Sequence, residues 1–171
     1  MLHVYCGNGK GKTTAAMGLV VRAAGFGMKV LLVQFLKDDT GNELKSLSQL
    51  SGVDFLHRSG REKFTFCMTY EEKESRRADY ARLFAEAEEK CLNGEYDMLV
   101  LDEALRAVNH GILDETELLD FLASVKDKLE VAVTGTHPSE KLIELADYVS
   151  EIVKHKHPYD DGVAAREGIE Y

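Results

Sequence analysis

The segment at residues 6–14 constrains the fold of this chain more than any other. It reads Cys-Gly-Asn-Gly-Lys-Gly-Lys-Thr-Thr and follows a short apolar run at residues 2–5. A helix-like stretch begins directly after it, at residues 15–24. A strand, a glycine-rich turn ending in Gly-Lys-Thr, and a helix form the context of a phosphate-binding loop. We therefore predict that a polyphosphate binds here, in preference to a glycine-rich turn that arose by chance.

Each residue type in the loop suits the binding of a triphosphate. Alternating glycines let the backbone wrap the phosphates and turn its N–H groups inward, and the helix start adds roughly half a positive charge. A lysine supplies a full charge, and the following hydroxyl can bind Mg²⁺. The predicted phosphate-binding residues are Gly7, Asn8, Gly9, Lys10, Gly11, Lys12, Thr13 and Thr14. The usual pattern has a glycine where this chain has Cys6, so the loop alone does not establish phosphate hydrolysis.

Length, charge and cysteine content narrow the class of protein. A chain of 171 residues has the size of one domain, so we predict a single domain over residues 1–171. The net charge of −9 disfavours nucleic acid as a partner. The longest apolar runs, at residues 30–33 and 98–101, are too short to span a bilayer. Three widely spaced cysteines and a strand at the amino terminus lead us to expect reduced thiols, no signal peptide and a cytoplasmic location.

Short apolar strands alternate with longer helical patterns along the chain. The predicted strands are 2–6, 29–35, 53–57, 97–101, 130–134 and 148–154, and the predicted helices are 12–24, 42–51, 71–92, 114–123 and 139–146. Two of the strands are apolar on both faces, which is typical of a parallel sheet covered on each side. The predicted fold is therefore a three-layer α/β domain like that of P-loop NTPases, with a mostly parallel sheet of about six strands.

Two carboxylates, Asp102 and Glu103, follow the apolar run at residues 98–101. In a parallel sheet the carboxyl end of that strand faces the same crevice as the phosphate loop. We expect one of the carboxylates to help hold Mg²⁺, although a strand-end carboxylate can also cap the next segment. An ATPase could use Glu103 to polarise water, and a small-molecule kinase could place either group beside an acceptor hydroxyl.

Four segments together carry a resemblance to a known family. They are 7–25, with Gly-Asn-Gly-Lys-Gly-Lys-Thr-Thr-Ala-Ala; 33–37, with Val-Gln-Phe-Leu-Lys; 100–103, with Val-Leu-Asp-Glu; and 134–171, with Thr-Gly, Leu-Ala-Asp, Ser-Glu, Lys-His and a final Gly-Ile-Glu-Tyr. On these residues the chain resembles the P-loop ATP:corrinoid adenosyltransferases of the CobA/CobO/BtuR type. The shortened loop, with Cys6 in place of glycine, is part of that resemblance.

The resemblance implies an alkyl transfer instead of phosphate hydrolysis. In this family, Co(I) of a reduced corrinoid attacks C5′ of ATP, which gives a cobalt–carbon bond and free triphosphate. The implied substrates are ATP and cobalamin or a precursor, with Mg²⁺ or Mn²⁺ as the metal. A nucleophile as strong as Co(I) needs no general base, so the protein has to hold C5′ in line and stabilise the departing triphosphate.

The resemblance also implies roles for particular residues. Lys12, Thr13 and Glu103 would act in catalysis, and Thr13, Glu103 and Asp102 would bind the metal. Arg22 matches a family arginine, although a cation near the end of a helix has a structural role as well. The segment 64–66 matches the aromatic residues that face the corrin, so Phe64 and Phe66 are candidates for that contact, with core packing as the alternative.

The expected partners are ATP and a corrinoid, with a flavin-dependent protein as the reductant and a second copy of the chain in a homodimer. Two other classes of function remain open at this stage. One is phosphoryl transfer by an ATPase or a small-molecule kinase, which would yield ADP. The other is a non-catalytic module that binds ATP or a corrinoid without turnover.

Overall fold

The described part of the chain forms a sheet of six parallel strands. The computed structural model describes residues 1–37, 41–58 and 68–170. The strands are β1 (Leu2–Cys6), β2 (Val30–Gln34), β3 (Val53–His57), β4 (Met98–Asp102), β5 (Glu130–Thr134) and β6 (Tyr148–Glu151). They lie in the order β3-β2-β4-β5-β1-β6, and each neighbouring pair is parallel. The predicted α/β fold with about six mostly parallel strands is thereby confirmed.

Helices cover both faces of this sheet. They are α1 (Lys12–Phe26), α2 (Asn42–Leu47), α3 (Tyr70–Leu92), α4 (Ala104–Asn109), α5 (Glu115–Val125) and α6 (Glu140–Leu145), followed by a short 3₁₀ turn, Pro158–Asp161. Alternate residues of a strand point to opposite faces. On one face, Leu32 and Val100 pack with residues of α1, and on the other, Leu31 and Leu99 pack with residues of α3 and α5. The central strands β2 and β4 are buried at every position, as a sheet covered on both sides requires.

Several helices begin or end at residues that cap them. The Asp114 carboxylate accepts hydrogen bonds at the start of α5, and the Ser139 hydroxyl accepts one at the start of α6. Thr69 forms a full capping box with Glu72 at the start of α3. Gly27 ends α1 in the left-handed conformation.

Two predicted elements are too long and one helix was not predicted, each for a local reason. Helix α2 ends at Leu47, because Ser48 and Gln49 turn their side chains onto the carbonyl of Lys45. Strand β6 ends at Glu151, after which the chain bonds to the loop at residues 7–14. Helix α4 was not predicted, since it begins directly after β4 at a residue with no side-chain cap.

The strands β2, β4 and β5 are each followed by a residue with strained backbone. Leu36, Glu103 and His137 have φ values of 54°, 60° and 51°, in the left-handed region that side chains other than glycine rarely adopt. All three lie at the carboxyl edge of the sheet, where strain concentrates around functional sites.

No helix in the described ranges is long and apolar enough to cross a membrane.

Candidate functional site

The glycine-rich loop joins β1 to α1 at the carboxyl edge of the sheet. Gly11 has a φ of 121° and stands at the N-cap of α1, where it contributes no side-chain cap. The first N–H groups of α1 are therefore not bonded by a side chain of the capping residue. A helix start of this kind favours a bound anion. An anion is also the class of ligand that the glycine-rich pattern predicts for this loop.

The chain that follows β6 presses against the loop and explains two of its glycines. The Gly9 N–H donates to the carbonyl of Ile152 at 2.7 Å. A Cβ at Gly9 would lie 2.7 Å from that oxygen, and one at Gly7 would lie 2.5 Å from it. The Asn8 side-chain oxygen accepts from the N–H of Lys154 at 2.8 Å. Side chains at positions 7 and 9 would push this segment away from the loop.

A cavity of about 290 Å³ lies beside the loop. Its lining comes from the loop and α1, from the segments after β2 and β4, and from the carboxyl-terminal tail: Lys10, Gly11, Lys12, Thr13, Thr14, Lys37, Glu43, Glu103, His157, Ile169 and Glu170. A larger and more open depression of about 890 Å³ lies between α3 and the start of α5, and no loop residue lines it. The smaller cavity is the candidate site, because the loop lysines and Glu103 face it together.

A buried carboxylate, Asp102, connects four elements behind this cavity. Its Oδ1 accepts from the hydroxyls of Thr13 at 3.0 Å and Thr134 at 2.7 Å. Its Oδ2 accepts from the side-chain amide of Gln34 at 3.2 Å and pairs with the Lys37 ammonium at 2.8 Å. Asp102 has no solvent exposure. Its charge is therefore balanced within the protein, and it fixes the orientation of Thr13.

Lys37 and Glu103 carry charge at the edge of the cavity. The Lys37 Nζ also lies 3.2 Å from the Thr13 Oγ1 and 3.4 Å from Glu43. Burial by itself would lower the pKa of Lys37, but the attraction of Asp102 and then of Glu43 outweighs it and raises that pKa. Burial, followed by repulsion from Asp102, raises the pKa of Glu103 above its ordinary value.

The two loop lysines have partners that a bound anion would compete with. The Lys12 Nζ donates to the carbonyl of Gly9 at 2.7 Å. The Lys10 Nζ lies 3.4 Å from the carbonyl of Ile169 and 3.7 Å from a carboxylate oxygen of Glu170. Lys12 thus bonds within the loop, and Lys10 connects the loop to the carboxyl-terminal tail. Triphosphate oxygens would give them stronger, charge-assisted hydrogen bonds.

The structure brings most of the predicted site residues together and leaves some apart. Thr13, Glu103 and the loop from residue 10 to residue 14 line the cavity, with Asp102 behind them. Arg22 is exposed on α1 and is not among the lining residues. Phe64 and Phe66 lie outside the described residues.

Sequence reasoning missed several residues of the site, namely Gln34, Lys37, Glu43 and Thr134. Three of them belong to segments that carried the family resemblance, but no role could be given to them there. The signal that could have found them is their position, because polar residues at or just after the carboxyl ends of buried parallel strands meet at one edge of a sheet.

The donor set fits a small hard cation such as Mg²⁺. Oxygen donors near the loop include the Thr13 hydroxyl and the carboxylates of Glu103, Glu43 and Glu170. The buried Oε1 of Gln34 is a further oxygen acceptor, with no hydrogen-bond partner among the described residues. Within the same part of the chain, no three His, Cys, Asp or Glu side chains form a ready metal site. Mg²⁺ takes one or two protein oxygens and completes its shell with phosphate and water, so the Thr13 hydroxyl and the Glu103 carboxylate are enough protein ligands for it.

Comparison with known proteins extends the likeness over the whole chain. The family model for ATP:corrinoid adenosyltransferase BtuR/CobO/CobP matches residues 1–171. The corrinoid adenosyltransferase of Escherichia coli (strain K12) is 36% identical over 172 residues, which cover 100% of this chain and 85% of that protein. The corrinoid adenosyltransferase CobA of Salmonella typhimurium is 37% identical over 175 residues, with coverage of 100% and 85%. A corrinoid adenosyltransferase of Pseudomonas aeruginosa is 32% identical over 174 residues.

Proposed function

Since the chain belongs to the ATP:corrinoid adenosyltransferase BtuR/CobO/CobP family, we propose that it moves the 5′-deoxyadenosyl group of ATP to Co(I) and that the loop at residues 7–14 binds the triphosphate. The chain is an ATP-dependent transferase that acts on a corrinoid. The observation that carries the residue assignment is the shared cavity, in which Lys12, Thr13 and Glu103 face the same space beside the start of α1.

The reaction requires the protein to bind ATP and the corrinoid and to align C5′ with the cobalt. Co(I) donates an electron pair to C5′, the cobalt–carbon bond forms, and cobalt becomes formally Co(III). The C5′–O5′ bond breaks, and its electron pair leaves with the triphosphate. Because the nucleophile carries its own electron pair and no proton, no side chain is needed as a general base. The rate then depends on alignment and on stabilising the charge of the leaving group.

The residues beside the cavity suit the stabilisation of that charge. Lys10, Lys12 and Lys37 bring three ammonium groups to its lining, and the start of α1 adds its N–H groups. Negative charge grows on the oxygen that leaves C5′, so donors that face the triphosphate lower the barrier. The carboxylate of Glu170 lies 3.7 Å from the Lys10 ammonium, and phosphate oxygens would replace it as the partner of Lys10.

The metal in this proposal is Mg²⁺, with Mn²⁺ as a substitute. Thr13 and Glu103 would hold it. Asp102, which the family resemblance also implied as a ligand, is fully buried with four partners and would instead orient Thr13. When bound, the metal neutralises part of the triphosphate charge and favours its departure. The support for this assignment is the set of oxygen donors around the loop.

The remaining assignments rest on the family resemblance. We infer that Phe64 and Phe66 face the corrin and that the protein works as a cytoplasmic homodimer supplied with electrons by a flavin-dependent protein. Arg22 is exposed on α1 outside the cavity lining, so its predicted contact with the nucleotide is not part of the proposal. We also take residues 1–171 as one adenosyltransferase domain. The Phe66 role predicts that Phe66→Ala lowers the rate more from Co(II) than from Co(I), because the aromatic residues assist reduction. Equal losses in the two assays would remove that role.

The test of the site is adenosylation of chemically reduced cobalamin with ATP and Mg²⁺, followed in the corrin absorption spectrum. Lys12→Ala removes one donor to the leaving group, and we expect a loss of about 10²- to 10³-fold in rate. Lys45→Ala is the matched control, because Lys45 lies on α2, bonds to Asn42 and does not line the cavity. A normal rate in Lys12→Ala would contradict the assigned site.

A further inference from the structure

The geometry around Thr13 points to a role for Lys37 that extends the proposed function. We propose that the Lys37 ammonium takes the place of the metal beside Thr13 and Asp102 in the free protein, so that the site selects the metal–nucleotide complex over free metal. The inference rests on the proposed metal position at Thr13. The observation behind it is that one ammonium lies 2.8 Å from Asp102 Oδ2 and 3.2 Å from Thr13 Oγ1.

The hydroxyl of Thr13 already has a partner for its proton and one for its oxygen. It donates to Asp102 Oδ1 at 3.0 Å and accepts from Lys37 at 3.2 Å. A metal bound to the same oxygen would sit at about 2.0–2.1 Å from it. Two cations on the lone pairs of one oxygen repel each other strongly at such distances. Metal binding at Thr13 therefore requires Lys37 to move away.

The negative charge of Asp102 holds the Lys37 ammonium beside Thr13. This carboxylate is fully buried, and its three other donors, Thr13, Thr134 and Gln34, are uncharged. Lys37 is the positive charge in direct contact with it among the described residues. Removal of that charge leaves a buried carboxylate without a counterion, which is costly. A metal ion that binds without nucleotide would have few protein ligands to compensate for the lost ion pair between Lys37 and Asp102.

A bound nucleotide makes it easier for Lys37 to leave Asp102, because its phosphate oxygens can pair with the Lys37 ammonium instead. Lys37 lines the cavity in which we place the triphosphate, and 27% of its side chain is exposed there. The backbone of the preceding residue is held in place, because the strained Leu36 donates its N–H to the Tyr80 hydroxyl at 2.8 Å. The ammonium can swing from Asp102 to a phosphate while the backbone stays in place. Metal and nucleotide then bind together more tightly than either does alone, and by linkage the effect is mutual.

The experiment measures Mn²⁺ binding to the full chain by electron paramagnetic resonance, with and without ATP and without corrinoid. Lys37→Met keeps the length of the side chain and removes the charge. We expect it to bind free Mn²⁺ about tenfold more tightly than the wild type, within the usual range of coupling between sites. The factor by which ATP tightens Mn²⁺ binding should fall by about the same amount. Lys37→Arg, which keeps the charge, should retain the weak binding of free Mn²⁺.

Controls make each outcome decisive. Lys45→Met makes the same change on α2, outside the cavity, and should match the wild type. If Lys37→Met fails to fold by circular dichroism, Lys37→Gln provides the same test with a neutral amide donor. The proposal is overturned if the neutral variant binds free Mn²⁺ no more tightly than Lys45→Met. It is also overturned if that variant loses affinity for ATP while the coupling stays unchanged. Adenosylation by the wild type is assayed separately, so that failure of the proposed function is recognised on its own.

Discussion

Replacement of Thr134 by valine tests how the buried network holds the site. Thr134 is fully buried at the end of β5. Its hydroxyl donates to Asp102 Oδ1 at 2.7 Å and accepts from the N–H of Glu103 at 2.9 Å. Valine has the same shape without the hydroxyl, so Thr134→Val removes both bonds and leaves the packing in place.

The expected cost follows from the two bonds. A hydrogen bond to a charged group contributes about 1.5–3 kcal/mol and one between neutral groups about 0.5–1.5 kcal/mol. The loss in the free energy of unfolding should therefore be about 2–4.5 kcal/mol. For a chain of this size each kcal/mol lowers Tm by roughly 2–4 °C, so we expect a decrease of roughly 4–18 °C. Release of the Glu103 N–H also frees a strained residue at the site, and we expect the adenosylation rate to fall about tenfold, or 1.4 kcal/mol.

The assays are urea denaturation, thermal unfolding and adenosylation of reduced cobalamin. Thr116→Val is the matched control, because Thr116 is exposed on α5 and the same chemical change there should alter stability by less than about 0.5 kcal/mol. If Thr134→Val unfolds at the same urea concentration as the control and keeps its full rate, the reasoning about Asp102 and Glu103 is refuted.

Two further predictions concern the loop and the buried thiol. Gly9→Ala would place a Cβ 2.7 Å from the carbonyl of Ile152, so proteolysis of the tail should accelerate. Gly18 lies in α1, and a Cβ there would meet no described atom within 4 Å apart from its chain neighbours and the nearby helix backbone, so Gly18→Ala should instead stabilise the protein by about 0.5–1 kcal/mol; equal proteolysis in the two variants would contradict the packing argument. Burial and then Glu95 raise the pKa of Cys91 to about 12, so iodoacetamide at pH 8 should leave this thiol unmodified until denaturant is added. Peptide mapping by mass spectrometry measures this, and rapid alkylation of the native protein would disprove it.

The sequence predicts those parts of the fold that short patterns encode. Glycines and lysines at residues 7–12 carry the chemistry of the loop in themselves, and Asp114 and Ser139 mark helix starts by their side chains. Helix α4 has no such mark, since Glu103 turns the chain from strand to helix in one left-handed residue. A strained conformation of this kind depends on tertiary contacts that no local pattern records.

The charge network at Asp102 was equally hidden from the sequence, for a different reason. Lys37 and Asp102 are 65 residues apart and meet only because β2 pairs with β4 in a register that sets Gln34 beside Asp102. Thr134 joins them because β5 is the next strand along the sheet. Strand order and register decide these contacts, and both are properties of the whole sheet.

The most direct test of the account is the fate of the phosphates of ATP. The wild-type protein, ATP, Mg²⁺ and Co(I) cobalamin are incubated together, and the products are identified by ³¹P nuclear magnetic resonance. The account predicts one intact triphosphate for each cobalt–carbon bond formed, because the attack is on carbon. ADP and orthophosphate with the corrinoid left unalkylated would contradict it.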